Sequence, residues 1–215
     1  MRPQMKLSTK LICAFGLLII LQLGGNITSL ILLSNINADV TELSTNWLPS
    51  IDAISDLDHE FQTLRRQEML HVLSTDEAGM REYERSINES LSALQKKLKI
   101  YEDLISSDEE RQIYQGFHND LQHYLEVHNK LLDLSRKNEN VEAKNILEGP
   151  SREHFNAAMA KLERLVRLNA KGGATSAQDG NRAYATGRVT LLAVLVVATL
   201  LGIIVCIVIL RGVSR

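Results

Sequence analysis

Two long apolar runs without a single charge constrain this 215-residue chain more than any other feature of its sequence. They cover residues 11–33 and 189–210, which are 23 and 22 residues long. An apolar segment of about 18 or more residues can cross the roughly 30 Å hydrocarbon core of a bilayer as a helix. The sequence therefore predicts a transmembrane helix at each run, with residues 34–188 forming one domain between them.

The charges that flank the two runs predict how these helices are oriented. Residues 1–10 and 211–215 contain no acidic side chain and five basic ones, which are Arg2, Lys6, Lys10, Arg211 and Arg215. Because basic residues accumulate on the cytoplasmic side, both ends are predicted to be cytoplasmic, with residues 34–188 in the opposite compartment. A cleaved signal peptide is the alternative for the first run. The run is longer than the about 7–15 apolar residues typical of a signal peptide, and no clear A-x-A cleavage site follows it.

The distribution of charge and cysteine excludes two classes of protein. All 26 acidic residues lie between residues 39 and 179, whereas only 19 of the 24 basic residues lie between 35 and 188. The middle of the chain is therefore acidic and has no basic stripe with interleaved aromatic residues, which argues against a nucleic-acid binder. Cys13 and Cys206 both lie in the apolar runs, and this excludes a disulfide scaffold.

The sequence also carries no signature of an enzyme. It has no nucleophile elbow, no glycine-rich phosphate loop and no closely spaced pair of cysteines. His118, His123 and His128 recur every five residues, which spreads them around a helix by about 140° per step, so they cannot share a metal ion. We therefore predict no catalytic residue, no metal site and no cofactor.

Between the apolar runs, hydrophobic residues recur at spacings of three and four, which is typical of amphipathic helices. The pattern predicts one helix over residues 46–73 and a second whose row of regularly spaced apolar residues runs from 80 to 105. A third should start at Ser107, which forms a capping box with Glu110, and a fourth at Pro150, after a short helical turn over 141–148. The sequence thus predicts an all-α fold, namely an up-down-up-down four-helix bundle flanked by two transmembrane helices.

In this topology the helix ends far from the membrane gather cationic and imidazole side chains. Glu68 and His71 continue the apolar stripe of the first helix, and a charge on a buried stripe has to be paired or bound. Two interpretations stay open: an internal Arg65–Glu68–His71 ion pair, or a pocket in which arginine holds the carboxylate of a ligand. The side chains concerned are Arg65, Arg66, His71, Arg81, Arg85, His128, Lys130, Arg136, Lys137, Arg152 and His154.

Several short motifs, taken together and in order, resemble the ligand-binding domain of methyl-accepting chemotaxis receptors. They are NWLPSI at 46–51, LRR at 64–66, HVL at 71–73, YE at 83–84, SDEER at 107–111 and LEGPSR at 147–152, followed by Phe155. The resemblance covers residues 1–211. It implies a bacterial inner-membrane protein with its four-helix sensor domain in the periplasm.

The resemblance also implies a ligand site at the membrane-distal tip. In the aspartate and serine receptors of this family, arginines on the first and fourth helices hold the carboxylate of the ligand at a dimer interface. In this chain two arginines are adjacent and a histidine stands near the position of another, so the resemblance favours an organic acid over an amino acid. A tricarboxylic-acid-cycle intermediate or an aromatic acid would be such a ligand. The candidate ligand-binding residues are Arg65, Arg66, His71, Tyr124, His128, Arg152 and Phe155.

The partners expected from the resemblance are a small organic acid, the lipid bilayer and a second copy of the chain in a homodimer. A downstream kinase and adaptor would be reached through a HAMP and signalling module, to which residues 211–215 are the start of a cytoplasmic linker. The input domain of a sensor histidine kinase and a ligand-free helical spacer are the alternatives. We expect the ligand to shift the fourth helix relative to the first. The residues of the fourth helix between 170 and 188 are mostly small, so this part of the helix should be loosely packed.

Overall fold

The computed structural model describes residues 7–213, so the predictions that concern Arg2, Lys6 and Arg215 lie outside the described residues. No β-strand occurs between residues 7 and 213, and this bears out the all-α prediction. A five-residue π-helical turn, Leu43–Trp47, separates the first two helices. The helices are α1 (Leu7–Glu42), α2 (Leu48–Leu73), α3 (Glu77–Leu104), α4 (Asp108–Arg136), α5 (Asn140–Glu148) and α6 (Pro150–Val213).

The chain divides into two compact units, one of residues 42–174 and one that pairs α1 up to Thr41 with α6 from Thr175 onwards. In the second unit, a Cβ atom added to Gly25 or to Gly187 would lie 3.0 Å from Val194 or from Leu32, respectively, so glycine lets the two helices approach closely. The apolar windows of these helices are only 6% and 0% buried in protein. The apolar segments of α1 and α6 are therefore long and apolar enough to cross a membrane, and they are not buried in a protein core.

Residues 42–174 form the four-helix bundle, in which α2, α3, α4 and α6 are the long helices. α3 runs antiparallel to α4, because Glu84 bonds to Arg136 while Tyr101 bonds to Glu110. α6 runs antiparallel to α2, because Arg65 bonds to the start of α6 at Ser151. We call the end that contains the turn at residues 74–76 the α2–α3 end, and the opposite end, with the turn at 105–107, the α3–α4 end.

Local sequence explains where the bundle helices begin and end. Ser107 caps α4 by accepting a hydrogen bond from the Glu110 N–H at 3.2 Å, as predicted. Asp76 caps α3 in the same way by accepting from the Gly79 N–H at 2.7 Å. α4 ends at Arg136, and Asn138 follows with a φ of 58°, the left-handed conformation that asparagine tolerates at helix ends. Pro150 opens α6, where its missing N–H costs nothing.

The core consists of the stripes that the 3-4 spacing predicts. Phe61 lies at its centre, 4.8 Å from Phe155 and 6.5 Å from Phe117 between ring centroids. Such aromatic pairs contribute about 0.5–1.5 kcal/mol each beyond their buried area. The fully buried side chains include Ile54, Leu57, Leu64, Ile87, Leu94, Tyr101, Leu121, Tyr124, Leu131 and Leu162. The predicted four-helix bundle is therefore confirmed.

The π-helical turn before α2 is a feature that the sequence did not predict. Pro49 has no N–H to donate to the Thr45 carbonyl, and its ring crowds that carbonyl, so a regular α-helical ladder cannot pass through it. The chain instead widens by one residue, and the Leu48 N–H reaches the Leu43 carbonyl. The first bundle helix, predicted to begin at residue 46, is therefore continued towards α1 by the turn.

Candidate functional site

A buried carboxylate, Glu68, organises the polar side chains at the α2–α3 end. Glu68 lies on the inner stripe of α2 and is 0% exposed. Its Oε2 accepts a hydrogen bond from the Tyr124 hydroxyl, and its Oε1 contacts Nδ1 of His128. Both partners come from α4, where they stand four residues apart on one face. The carboxylate thus connects α2 to α4 in the interior of the bundle, near its α2–α3 end.

Arg65, one turn before Glu68, is the cation of this cluster. It is only 7% exposed, and its Nη1 lies 4.0 Å from Oε2 of Glu68. Its hydrogen bonds go to neutral oxygens instead: Nη1 donates to Ser151 Oγ at 2.7 Å and Nη2 donates to the Leu147 carbonyl at 2.8 Å. Both oxygens belong to the junction between α5 and α6. Arg65 therefore fastens this junction to α2.

Aromatic rings surround the guanidinium group. The Cζ atom of Arg65 lies 5.0 Å from the ring centroid of Phe155 and 5.9 Å from that of Tyr124, distances at which a cation is attracted by the ring face. Burial and the charge of Glu68 raise the pKa of Tyr124 well above its ordinary value. Tyr124 is therefore a neutral hydroxyl that donates to Glu68 over the whole physiological pH range.

His71 forms a separate contact one turn beyond Glu68, where it is 0% exposed. The Ser135 hydroxyl donates to the His71 carbonyl at 3.1 Å, so the 2.8 Å bond between Ser135 Oγ and His71 Nδ1 has to be donated by the ring. This pattern assigns the proton to Nδ1 and leaves Nε2 bare. Nε2 lies 3.4 Å from Glu84 Oε1 without hydrogen-bond geometry.

The electrostatics around His71 favour its neutral form. Burial lowers the pKa of His71, and this outweighs the neighbouring Glu84 carboxylate, which acts in the opposite direction. Glu84 accepts a 2.6 Å hydrogen bond from Arg136 Nε, and that bond lowers the pKa of Glu84. The Glu84–Arg136 pair connects α3 to α4 at the same level and already satisfies the charge of Glu84.

The structure brings together four of the seven candidate residues and separates three. Arg65, Tyr124 and His128 surround Glu68, and Phe155 packs against Arg65 and Tyr124. We call these five residues and Ser151 the Glu68 cluster. His71 lies one turn further along α2. Arg66 and Arg152 are exposed, and within the described part of the chain neither forms a hydrogen bond or ion pair with the cluster. Arg66 donates to Thr63 Oγ1 at 3.2 Å. In the ion-pair interpretation His71 was the partner of Glu68, but His128 occupies that place.

Sequence reasoning missed the groups of the α5–α6 junction that hold Arg65. A main-chain carbonyl such as that of Leu147 leaves no trace in the sequence. Ser151 was recognised only as part of the start of α6, where its position directly after Pro150 was the available signal. Ser135 was also missed, although its spacing of seven residues from His128 places it on the same face of α4.

A groove of about 610 Å³ lies beside the cluster, between the end of α2 and α5. Leu147 forms part of its wall and also supplies the carbonyl that binds Arg65. Leu73 and Val141 are largely exposed in this groove, at 76% and 71%. Its lining is Met69, Val72, Leu73, Asn140, Val141, Lys144, Asn145, Leu147 and Glu148. The groove therefore offers a mostly apolar surface, and Leu147 connects this surface to the buried Arg65.

A second buried carboxylate, Glu110, lies at the α3–α4 end. Its Oε1 accepts from the Tyr101 hydroxyl at 2.8 Å and from Asn169 Nδ2 at 2.9 Å. Its Oε2 accepts from the Ser106 N–H at 2.9 Å and from the Ser106 hydroxyl at 3.3 Å. Burial, together with the hydrogen bond to Glu110, raises the pKa of Tyr101. All four donors are neutral, and within residues 7–213 no cationic side chain contacts this carboxylate.

Comparison with known proteins agrees with this architecture. Residues 4–184 match a family model described as a four-helix-bundle sensory module for signal transduction. The chain is also 22% identical over 174 residues to YvaQ of Bacillus subtilis (strain 168), a protein named as a sensory transducer. That alignment covers 81% of this chain and 31% of YvaQ, so the chain spans about a third of the relative's length. Because the family model covers the first apolar run and the whole bundle, this chain belongs to the four-helix-bundle sensory modules of chemoreceptor-type signal transduction.

Proposed function

We propose that this chain is the sensory input of a chemotaxis transducer, and that it binds a small organic anion at the α2–α3 end of its bundle. The ligand would be a carboxylate, such as a tricarboxylic-acid-cycle intermediate or an aromatic acid. The observation that carries the proposal is the buried guanidinium of Arg65, whose hydrogen bonds go to two neutral oxygens. A carboxylate is a stronger, bidentate partner for arginine, so it can replace the Leu147 carbonyl and the Ser151 hydroxyl.

The same exchange of partners supplies a signal. In the structure Arg65 fastens the α5–α6 junction to α2. A carboxylate that takes over the guanidinium releases this junction, so the ligand contacts one arrangement of α2 and α6 better than the other. Such differential contacts are the only way in which a ligand can shift an equilibrium between two arrangements. The released α6 then moves relative to α2.

The candidate residues take different parts in this proposal. Arg65 holds the carboxylate, while the rings of Tyr124 and Phe155 contact the body of the ligand. His128 and His71 stabilise the surrounding helices through Glu68 and Ser135. The exposed Arg66 and Arg152 attract anions towards this end of the bundle through their charge.

The two apolar helices are proposed to span a bacterial inner membrane twice, with the bundle in the periplasm and both chain ends in the cytoplasm. The sensor is proposed to work as a homodimer. The movement of α6 would reach a kinase and an adaptor through the signalling module of the whole transducer. These proposals are supported by the exposed apolar helices and by the family to which the chain belongs.

Thermal unfolding of the full chain in lipid nanodiscs tests the ligand class. Acetate, succinate, citrate and benzoate are the probes, and a probe at 100 times its Kd should add about 2.7 kcal/mol of stability. The stabilisation should disappear in Arg65→Ala and weaken in Arg65→Lys, which keeps the charge but loses the bidentate geometry. Arg167→Ala is the matched control, because Arg167 makes only a surface pair with Glu163. Equal stabilisation of Arg65→Ala and wild type would contradict the proposal.

A further inference from the structure

The charges of the Glu68 cluster limit what can enter it. Arg65 carries one positive charge and Glu68 one negative charge, and both are at least 93% buried. With a neutral His128, the buried cluster has no net charge. A ligand carboxylate bound to Arg65 would leave two negative groups beside one cation. An uncompensated charge in a buried site is costly, so this arrangement needs one further positive charge.

His128 is the group that can supply this charge. It is 4% exposed and its Nδ1 contacts Glu68 Oε1, so a proton added to the ring makes an imidazolium that is paired at once. Imidazole is the side chain that ordinarily gains and loses a proton near neutral pH. With His128 charged, Arg65, His128, Glu68 and the ligand carboxylate again sum to zero.

The other titratable groups that face the cluster cannot take this role. On α4, Tyr124 already holds its proton, because its pKa is raised by burial and by Glu68. On α2, burial lowers the pKa of His71, which faces Glu84 of α3 and Arg136 of α4. These two residues already neutralise each other. The α5–α6 junction contributes a carbonyl, a hydroxyl and an aromatic ring, none of which titrates.

We propose that this site takes up one carboxylate together with one proton, and that it therefore selects monocarboxylic acids with an apolar or aromatic body. The proposal rests on the proposed function, since it assumes that Arg65 holds the ligand. One buried cation matches one carboxylate, so each further carboxylate of a di- or tricarboxylate would have to remain solvated. The rings of Phe155 and Tyr124 and the apolar wall of the α2–α5 groove match an apolar body.

Calorimetry with benzoate on the full chain in nanodiscs measures the proton directly. At pH 8 the titration is carried out in phosphate and in Tris, whose heats of ionisation differ, and one proton per benzoate should be taken from the buffer. Benzoate affinity should fall about tenfold for each pH unit above the range in which His128 is charged, which is the linkage expected for one proton. Benzamide, which has the same body without the charge, should show no such pH dependence. Succinate and citrate should bind at least tenfold more weakly than benzoate.

Two substitutions should change the proton count in different ways. His128→Gln removes the proton acceptor, so uptake should fall to zero and benzoate affinity should no longer depend on pH. Glu68→Gln removes a negative charge, so benzoate should bind without a proton and more tightly than to wild type at pH 8. His71→Gln is the control and should retain an uptake of one proton. If His128→Gln does not fold, the wild-type proton count and Glu68→Gln still decide the matter.

The outcomes separate this inference from the proposed function. If none of the carboxylates binds, the proposed function fails and this inference fails with it. If succinate or citrate binds and benzoate does not, the proposed function stands and this inference is overturned. Benzoate binding without proton uptake by wild type, or with undiminished uptake by His128→Gln, would also overturn it.

Discussion

The bundle contains two buried glutamates at opposite ends, and they are satisfied in different ways. Glu110 accepts four hydrogen bonds from neutral groups, one of which is the backbone N–H of Ser106 in the turn before α4. Glu68 accepts from one hydroxyl and one imidazole and lies near a guanidinium. The donors of Glu110 carry no charge, and one of them belongs to the backbone, whereas the partners of Glu68 include an imidazole and a guanidinium that also binds the α5–α6 junction. We therefore expect the α3–α4 end to be rigid and the α2–α3 end to respond to a ligand.

Replacing each glutamate by glutamine tests this contrast and should give the largest effect. In Glu110→Gln the new amide N–H₂ group has to face hydroxyl, amide and backbone donors, so we expect a loss of about 3 kcal/mol. In Glu68→Gln the Tyr124 hydroxyl can still donate to the remaining oxygen, and the amide lies beside the His128 ring. Arg65 keeps its hydrogen bonds to Ser151 and the Leu147 carbonyl and its contacts with two aromatic rings, so we expect a smaller loss of about 1–2 kcal/mol. Urea unfolding in nanodiscs, followed through Trp47 fluorescence, measures both. A larger loss for Glu68→Gln would reverse the assignment of the rigid end.

A close helix contact provides a second test of rigidity at the α3–α4 end. A Cβ atom added to Gly172 of α6 would lie 2.5 Å from the Trp47 ring. Because this ring is large and stiff, Gly172→Ala should cost about 2 kcal/mol. Gly116→Ala is the matched control, since its Cβ would meet only the flexible end of Lys161, at 2.7 Å. The control should be neutral or stabilising by up to about 1 kcal/mol, because alanine favours a helix. Equal effects of the two substitutions on urea unfolding would show that the contact can relax.

Between pH 7 and 5, the pH dependence of stability should come mainly from the α2–α3 end. Because burial lowers the pKa of His71, the unfolded chain binds its proton at a higher pH than the folded chain does. This contribution to stability is complete above the ordinary histidine range, near pH 6.5, and is lost as the pH falls below it. The loss is at most about 1.4 kcal/mol per pH unit for one group.

His71→Gln should remove this part of the pH dependence between pH 7 and 5, while His118→Gln, an exposed histidine of α4, should not. Hydrogen exchange at the two pH values locates the effect. Protection should decrease around His71 and Ser135 and remain constant around Tyr101 and Glu110. An unchanged slope in His71→Gln would mean that another group titrates in this range.

The sequence predicts features that depend on residues close together in the chain, and it does not predict contacts between residues far apart in the chain. The apolar stripes, the Ser107 cap and the proline at the start of α6 are local patterns, and they predict the bundle and the starts of its helices. The π-helical turn was missed because Pro49 is equally compatible with a helix start. The sequence also placed polar groups on the buried stripes at the α2–α3 end. It could not show that Arg65 turns inward to a main-chain carbonyl, because that bond depends on how α5 packs against α2.

The smallest expected effects concern the two arginines that the sequence predicted to contact the ligand and that the structure finds exposed, Arg66 and Arg152. If they act through charge alone, Arg66→Ala and Arg152→Ala should each weaken benzoate binding by less than about threefold, and the difference should vanish at about 0.5 M salt because exposed charges are screened. Arg65→Lys should weaken binding by at least tenfold at any salt concentration, because a buried bidentate contact is screened much less. Calorimetry at low and high salt separates the two cases. If Arg152→Ala lost as much affinity as Arg65→Lys at high salt, Arg152 would have to turn inward when the ligand binds, and the α5–α6 junction would then hold the ligand instead of being released by it.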